Sequence, residues 1–314
     1  MKKAIYYLLL AVILFSFAAC SNEEDTTPSL ADVNGFAPKN DDVSVLANIR
    51  REFYKTTGSY LLFNDTLSVE YGGVDSYGNP IKNVHTVDLD YYFISNSSSS
   101  YVYTFDYITD ENECSKAAKL VEQKLMNRLG ALSPFSVLLV DGIYQWEQDD
   151  NGELVPTEYD DYYGTDPNPL FYLGARCYAI SLEHSEAFDD PQFFDNVFVK
   201  ILISRIKTTG GDEYKQFKAA VEDYDDLTDS WNYKDDLGYD LGKDDDLARS
   251  LGFLKDNSYW HFPDADSDLT DYVNAVVSYS LEDFESEYAD YPICIERFKI
   301  LRNFIISCGV VLDK

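Results

Sequence analysis

The side chains that most often bind a catalytic zinc ion are sparse in this chain. It contains three histidines, His85, His184 and His261, and no two of them lie close together. A helix presents two histidines to one ion only when they are four residues apart, and neither HExxH nor HxxEH occurs. The sequence therefore predicts no metal and no other cofactor. The enzymatic alternative is a zinc-dependent hydrolase with ligands from distant positions, for instance His261 with Asp264 or Glu282.

Acidic residues at alternate positions suggest calcium at one place. Asp264, Asp266 and Asp268 match the start of an EF-hand loop, in which carboxylates coordinate calcium. Leu269 occupies the position where that loop needs glycine, and Ala275 that of its bidentate glutamate. We therefore predict that these aspartates form the solvated start of a helix, where acids interact favourably with the helix dipole. A calcium-dependent structural or adhesion protein is the alternative.

Nucleophilic and nucleotide chemistry also lack their usual motifs. The chain contains no GxSxG, no P-loop and no dinucleotide-binding fingerprint, which are the motifs that place a nucleophile or a phosphate. Beyond Cys20, four cysteines lie far apart without a CxxC pair, at positions 114, 177, 294 and 308. Metal binding by these four cysteines is therefore not expected. The sequence leaves open whether they form disulfides and in which pairs.

The charge and the aromatic content narrow the class of partner. The formal charge is −31, and removal of residues 1–19, which carry two lysines and no acid, makes it −33. A folded chain this acidic repels nucleic acid and anionic lipid headgroups, so neither is expected as a partner. The 26 tyrosines offer flat apolar faces with a hydroxyl, which suits peptide or glycan binding but also fills β-rich cores.

The N-terminal segment has the pattern of an export signal. Two lysines precede an apolar run over residues 4–17, and small residues precede Cys20. This pattern predicts a signal peptide over residues 1–19, too short for a stable membrane span. It resembles a bacterial lipobox, and that resemblance implies lipidation and acylation of Cys20. Membrane contact would then occur through lipid chains in the outer membrane.

Residues 20–41 are polar, acidic and without periodicity, so we predict a flexible tether. The cluster Glu23-Glu24-Asp25 resembles an acidic export signal of surface lipoproteins. It favours the cell surface over the periplasmic face, which stays the alternative.

The remaining chain predicts an α+β fold in two parts. Residues 42–188 read as mixed and β-rich, with helices over 43–58 and 113–129, strands over 59–65, 85–95, 100–108 and 170–182, and a hairpin formed by 136–148 and 153–159. The segment 71–80 reads as a linker. Residues 189–314 read as helical: apolar residues fall at helical spacing at Phe194, Val197, Phe198, Ile201 and Leu202.

Several short motifs in the second part occur in the order of a known family. Phe217, Tyr224 and Trp231 are followed by Leu251-Gly252-Phe253 and then by Glu282-Asp283-Phe284. Over about residues 190–312 this order resembles a zinc metallopeptidase family of lipoproteins, the substrate import-associated metallohydrolases, found beside starch-utilisation-type importers in Bacteroides-like bacteria. The resemblance implies a zincin-like helical half and a role in nutrient uptake.

The residues that carry that family's chemistry are replaced here. The metal-binding helix aligns with the segment 197–201, in which apolar residues replace both of the family's histidine ligands and its catalytic glutamate. Glu282 and Asp283 match acids that the family retains, and without a metal they are expected to cap or pair within the helical bundle. The resemblance thus implies a pseudoenzyme: a non-catalytic lipoprotein that binds peptide or glycan and works with outer-membrane importer components.

Replacement of Cys20 by alanine is expected to abolish lipid attachment, because the diacylglyceryl group is transferred to the cysteine thiol. Incorporation of labelled palmitate and recovery of the protein with membranes measure this. Ser21→Ala is the matched control and should keep the label. A wild-type chain without label would contradict the predicted anchor.

Overall fold

The strands of this protein fall in the first half of the chain and helices make up the second. The computed structural model describes residues 34–87, 101–149, 151–158, 168–174, 176–182 and 191–312. The predicted α+β class, with a β-rich N-terminal half and a helical C-terminal half, is confirmed. The described residues from Phe36 onward belong to one compact unit. The predicted signal peptide, Cys20 and most of the predicted tether lie outside the described residues.

Nine strands form three separate sheets in the described part of the chain. They are β1 (Tyr60–Leu62), β2 (Thr66–Val74), β3 (Pro80–Thr86), β4 (Tyr101–Asp106), β5 (Ser136–Val140), β6 (Gly142–Gln148), β7 (Leu154–Pro156), β8 (Phe171–Leu173) and β9 (Cys177–Ser181). The largest sheet has the order β1-β5-β9-β8, in which β8 alone is antiparallel to its neighbour. β2 and β3 form a two-stranded hairpin, and β4, β6 and β7 an antiparallel sheet.

The central strand β5 is buried on both faces. Val137 and Leu139 belong to the main core, and Leu138 and Val140 to a second cluster. This is why the strand reads as a continuous apolar run without alternation.

The helices supply most of the main core. They are α1 (Val45–Thr57), α2 (Glu111–Val121), α3 (Asn127–Leu129), α4 (Pro191–Thr209), α5 (Gly211–Ala219), α6 (Tyr224–Leu227), α7 (Asp245–Leu251), α8 (Ala265–Ser278), α9 (Leu281–Glu287) and α10 (Pro292–Ser307). A π-helical turn, Glu122–Met126, joins α2 to α3. None of the helices in the described ranges is both long and apolar enough to cross a membrane.

The helix predicted over 113–129 ends at Gly130, as expected. Gly130 has a φ of 53°, and a Cβ there would lie 2.4 Å from the carbonyl oxygen of Cys308. Only glycine meets both conditions, because a left-handed backbone and close contact exclude a side chain.

Four predictions for the β-rich part are corrected. The predicted linker 71–80 contains the end of β2, a turn and the first residue of β3, so a hairpin was missed. Of the described residues in the predicted strand 85–95, only 85 and 86 are in a strand, where they end β3. Residues 88–95 lie outside the described part. The runs 136–148 and 170–182 each contain two strands, separated at Asp141 and around Gly174.

A buried ion pair joins the helices of the second half. Arg297 on α10 donates two hydrogen bonds to the Asp268 carboxylate of α8, at 3.0 and 2.5 Å. It donates two more, to the carbonyls of Phe217 (3.0 Å) and Gly252 (2.7 Å). Tyr224 donates to the same carboxylate at 2.8 Å. The prediction that Asp268 is solvated is therefore wrong, because this side chain is needed to balance Arg297.

Replacement of Arg297 by methionine is expected to lower the free energy of unfolding by about 3–5 kcal/mol, because Asp268 would remain buried without its cation. Lys299→Met on the same helix is the control. Its partner is Glu285, both side chains are nearly half exposed, and its loss should cost no more than about 1 kcal/mol. Urea denaturation measures both values. Equal losses would contradict the role given to Arg297.

Candidate functional site

Two loops of the helical half lie over a small aromatic cluster. The first loop, residues 228–244, joins α6 to α7, and the second, residues 252–264, joins α7 to α8. Beneath them is a separate core cluster whose buried members are Val221, Tyr224, Leu227, Ala248, Phe253 and Phe262. Phe253 and Phe262 stack at a centroid distance of 5.9 Å. The loops thus have their own hydrophobic support.

A buried lysine fixes the first loop on the second. Lys234 is fully buried, and its ammonium donates to the Asp256 carboxylate (2.6 Å) and to the carbonyls of Gly242 (2.6 Å) and Ser258 (2.8 Å). Because an ammonium has three donors, all are used. The same Asp256 oxygen accepts from the backbone N–H of Asp244 at 3.0 Å. A buried charge with complete hydrogen bonding holds both loops in one arrangement.

Two further hydrogen bonds bring particular side chains of the loops together. The backbone N–H of Lys234 donates to the carbonyl of Trp260 at 2.9 Å. The Nδ1 atom of His261 lies 3.0 Å from the carbonyl of Asn232. A carbonyl oxygen only accepts, so Nδ1 carries the hydrogen, and the Nε2 atom of a neutral ring is then an acceptor.

These contacts form an open pocket of about 510 Å³ between the loops. We call it the aromatic–acidic pocket, and its lining residues are Tyr233, Asp235, Asp236, Trp260 and His261. The Tyr233 ring lies 4.6 Å from the His261 ring and 6.3 Å from the Trp260 ring, between centroids. The Lys234 side chain points into the interior, whereas the neighbouring side chains of Tyr233 and Asp235 reach the surface. The buried hydrogen bonds of Lys234 therefore orient the side chains that line the pocket.

The aromatic side chains of these loops are unusually exposed. Trp260 is 51% exposed and Trp231, on the first loop, 86%. Tyr259 contacts Trp260 edge to face at 4.8 Å and is also half exposed. Large aromatic side chains gain free energy when they are buried, and they are enriched where proteins bind partners. The exposed rings of Tyr259 and Trp260 beside the cavity are typical of a binding surface.

The pocket carboxylates have no partner within the described part of the chain. No hydrogen bond or ion pair involves the side chain of Asp235 or Asp236 there, and both residues are exposed. By contrast, Asp256 is buried and fully paired. The pocket therefore presents uncompensated negative charge beside aromatic faces.

The other predicted site residues take structural positions. Ser280 caps α9, and Asp283 pairs with it: the Asp283 N–H donates to the Ser280 hydroxyl (3.1 Å), which donates back to the Asp283 carboxylate (2.6 Å). Glu282 lies in the first turn of the same helix. Asp264 caps α8 by accepting from the N–H groups of Asp266 and Ser267.

The proposed zinc ligands do not come together. Among the described residues, no group of three or more histidine, cysteine, aspartate or glutamate side chains is placed to hold a metal ion. His261, Asp264 and Glu282 belong to this part of the chain, whereas His184 lies outside it. His85 lies 3.8 Å from Glu70 across the β2–β3 hairpin.

The three positions aligned with the family's histidines and glutamate are closed to solvent, whereas Lys200 between them is exposed. Val197, Phe198 and Ile201 on α4 are fully buried in the main core. The guanidinium of Arg128 lies 4.0 Å from the Phe198 ring centroid. Phe217, Tyr224 and Phe253 surround Arg297, with Phe217 closest at 3.9 Å. Most of the motif residues behind the family resemblance thus pack the core.

Gly252, the centre of the Leu251-Gly252-Phe253 motif, has a packing reason to be glycine. Its φ is 105°, and a Cβ would lie 2.6 Å from Ile293. Its carbonyl accepts from both Arg297 and the Tyr272 hydroxyl. The motif can therefore be explained without a catalytic role.

The cysteines have the character of core residues. Cys114, Cys177 and Cys294 are buried and Cys308 half-buried, all as free thiols. Burial raises the pKa of Cys114 to about 11, of Cys177 to about 12 and of Cys294 to about 11. Since the thiolate is the nucleophile, these groups are unsuited to nucleophilic catalysis near neutral pH.

Sequence reasoning identified His261 and Trp231 but missed the pocket as a site. Tyr233, Asp235, Asp236 and Trp260 were not among the predicted site residues. A signal was present in the segments WNYKDD and SYWHF, which place aromatic residues in polar loops between helices. No protein family, curated protein or solved structure matches the chain.

Replacement of Lys234 by methionine is expected to release the two loops, because Asp256 would lose its buried cation. Hydrogen exchange should accelerate across residues 234–244 and 256–261 and stay unchanged in α10. Lys243→Met, an exposed lysine of the same loop, is the control and should leave exchange as in the wild type. Identical exchange in the two variants would contradict the anchoring role.

Proposed function

We propose that the protein is a non-catalytic binding protein that takes its ligand in the aromatic–acidic pocket. The observation that carries this proposal is the pocket itself: exposed rings and partnerless carboxylates held in place by the buried Lys234–Asp256 pair. Pockets with aromatic walls and a few fixed polar groups are the usual form of ligand sites. A rigid frame also reduces the entropy lost on binding.

The proposed ligand is a peptide or a glycan, and the proposed setting is the cell surface. The lipobox at Cys20 supports attachment to the outer membrane, and the acidic residues behind it support the outer face. The resemblance to import-associated metallohydrolases supports work beside importer components. In this proposal the protein is an accessory of a nutrient-uptake system that captures material and does not cleave it.

Two features support binding over catalysis. The thiols are protonated near neutral pH, and the described carboxylates and imidazoles include no metal-binding group. The polar side chains of the pocket can orient a ligand, but no serine, threonine or cysteine lies among the pocket-lining residues to act as a nucleophile.

Binding by the chain from Ser21 to Lys314 to immobilised peptide and oligosaccharide panels tests the proposal. Retention of at least one of these classes is expected, and Trp260→Ala should weaken it by about tenfold or more, as expected for a central aromatic contact. Because the backbone carbonyl of residue 260 remains, the loop contact to Lys234 is kept. Thermal melting confirms that the variant is folded.

Tyr71→Ala is the matched control, since Tyr71 is an aromatic residue 70% exposed on β2, outside the pocket. It should bind as the wild type does. No retention of any peptide or glycan would overturn the binding function, and equal loss in both variants would overturn the site. About one zinc per purified chain would overturn the non-catalytic assignment.

A further inference from the structure

The polar groups of the aromatic–acidic pocket are mostly hydrogen-bond acceptors. Asp235 and Asp236 offer carboxylate oxygens that only accept, and the Nε2 atom of His261 accepts when the ring is neutral, because Nδ1 donates to the Asn232 carbonyl. The donors are the Tyr233 hydroxyl and the Trp260 indole N–H. A complementary ligand therefore brings donors. An ammonium or a guanidinium has donors alone.

We propose that the group entering the pocket is the ammonium or guanidinium of a basic side chain in a peptide. This inference rests on the proposed function and specifies its ligand. The carboxylates supply charge-assisted hydrogen bonds, which are the stronger kind. The faces of Tyr233 and Trp260 supply cation–π contact, for which tryptophan is the best side chain.

The local charge favours a cation over a neutral ligand. Residues 222–246 contain eleven acids and two lysines. One of the lysines, Lys234, is neutralised by Asp256 in the interior. Asp235 and Asp236 are adjacent, and no cation among the described residues pairs with either carboxylate. The field of such a surface attracts a basic peptide and accelerates its association.

The surroundings of the pocket favour a peptide over a small amine. Exposed rings continue beyond the pocket lining at Trp231 and Tyr259. A small diamine would occupy the pocket and leave these rings in water. A peptide chain with a basic side chain in the pocket has neighbouring residues that can cover them. A neutral glycan would stack on the rings but would gain nothing from the net charge.

Titration calorimetry of the chain from Ser21 to Lys314 with matched probes tests this assignment. The probes are a lysine-containing octapeptide, its arginine and acetyl-lysine counterparts, cadaverine and maltohexaose. We expect the lysine and arginine peptides to bind at least about tenfold more tightly than the acetylated peptide. Their affinity should fall as salt concentration rises, because screening weakens attraction between exposed charges.

Asp235→Asn and Asp236→Asn remove charge without changing shape. Each should weaken binding of the lysine peptide by several-fold and leave the melting temperature unchanged, because neither carboxylate has a partner to lose. Asp240→Asn is the control, an exposed acid of the same loop outside the pocket lining. It should have little effect.

The alternative outcomes separate this inference from the proposed function. Equal affinity for the acetylated peptide, or binding of maltohexaose without the lysine peptide, overturns the cationic ligand but leaves a binding protein. Cadaverine binding as tightly as the lysine peptide assigns the pocket to small amines and overturns the peptide. Absence of binding by every probe overturns both the inference and the function.

Discussion

Five helices of the C-terminal half meet at one guanidinium group. Arg297 of α10 contacts the end of α5 through Phe217, Tyr224 of α6, the C-terminus of α7 at Gly252, and Asp268 of α8. Burial raises the pKa of Asp268 and Arg297 opposes that effect, so neither side chain suits the interior without the other. A buried pair of this kind adds little net stability over an apolar contact, but it rejects arrangements that leave a charge unpaired. It therefore holds the C-terminus of α7, at Gly252, against α8 at Asp268.

The aromatic–acidic pocket depends on that arrangement through a second buried pair. The loops before α7 and before α8 carry Lys234 and Asp256, and the bond between these side chains closes the two loops on each other. The aromatic cluster around Phe253 and Phe262 lies between the two charged pairs, since Phe253 also faces Arg297. The helical core thus positions the Lys234–Asp256 pair, and this pair in turn positions the exposed rings of the pocket.

The sequence predicts those structural features that depend on a short-range pattern, such as the spacing of apolar residues or a glycine at a helix end. The spacing from Phe194 to Leu202 predicted α4, and Gly130 predicted the end of a helix. The β2–β3 hairpin was missed because it is exposed on both faces and contains Gly72-Gly73, so apolar alternation is absent. The pocket was missed for another reason. The burial of Lys234 requires Asp256, which lies 22 residues later, and no periodic pattern records a pairing over that distance.

The residues that support the pocket are buried and most of the residues that line it are exposed. This difference affects which substitutions the protein can accept during evolution. Lys234 and Asp256 support the loops from within, while Asp235, Asp236 and the Trp260 side chain extend away from them. A substitution at the lining alters recognition without disturbing the frame, and a substitution at the anchors disturbs the frame whatever the ligand. If the pocket binds the proposed ligand, its specificity can therefore diverge at few positions and at little cost in folding.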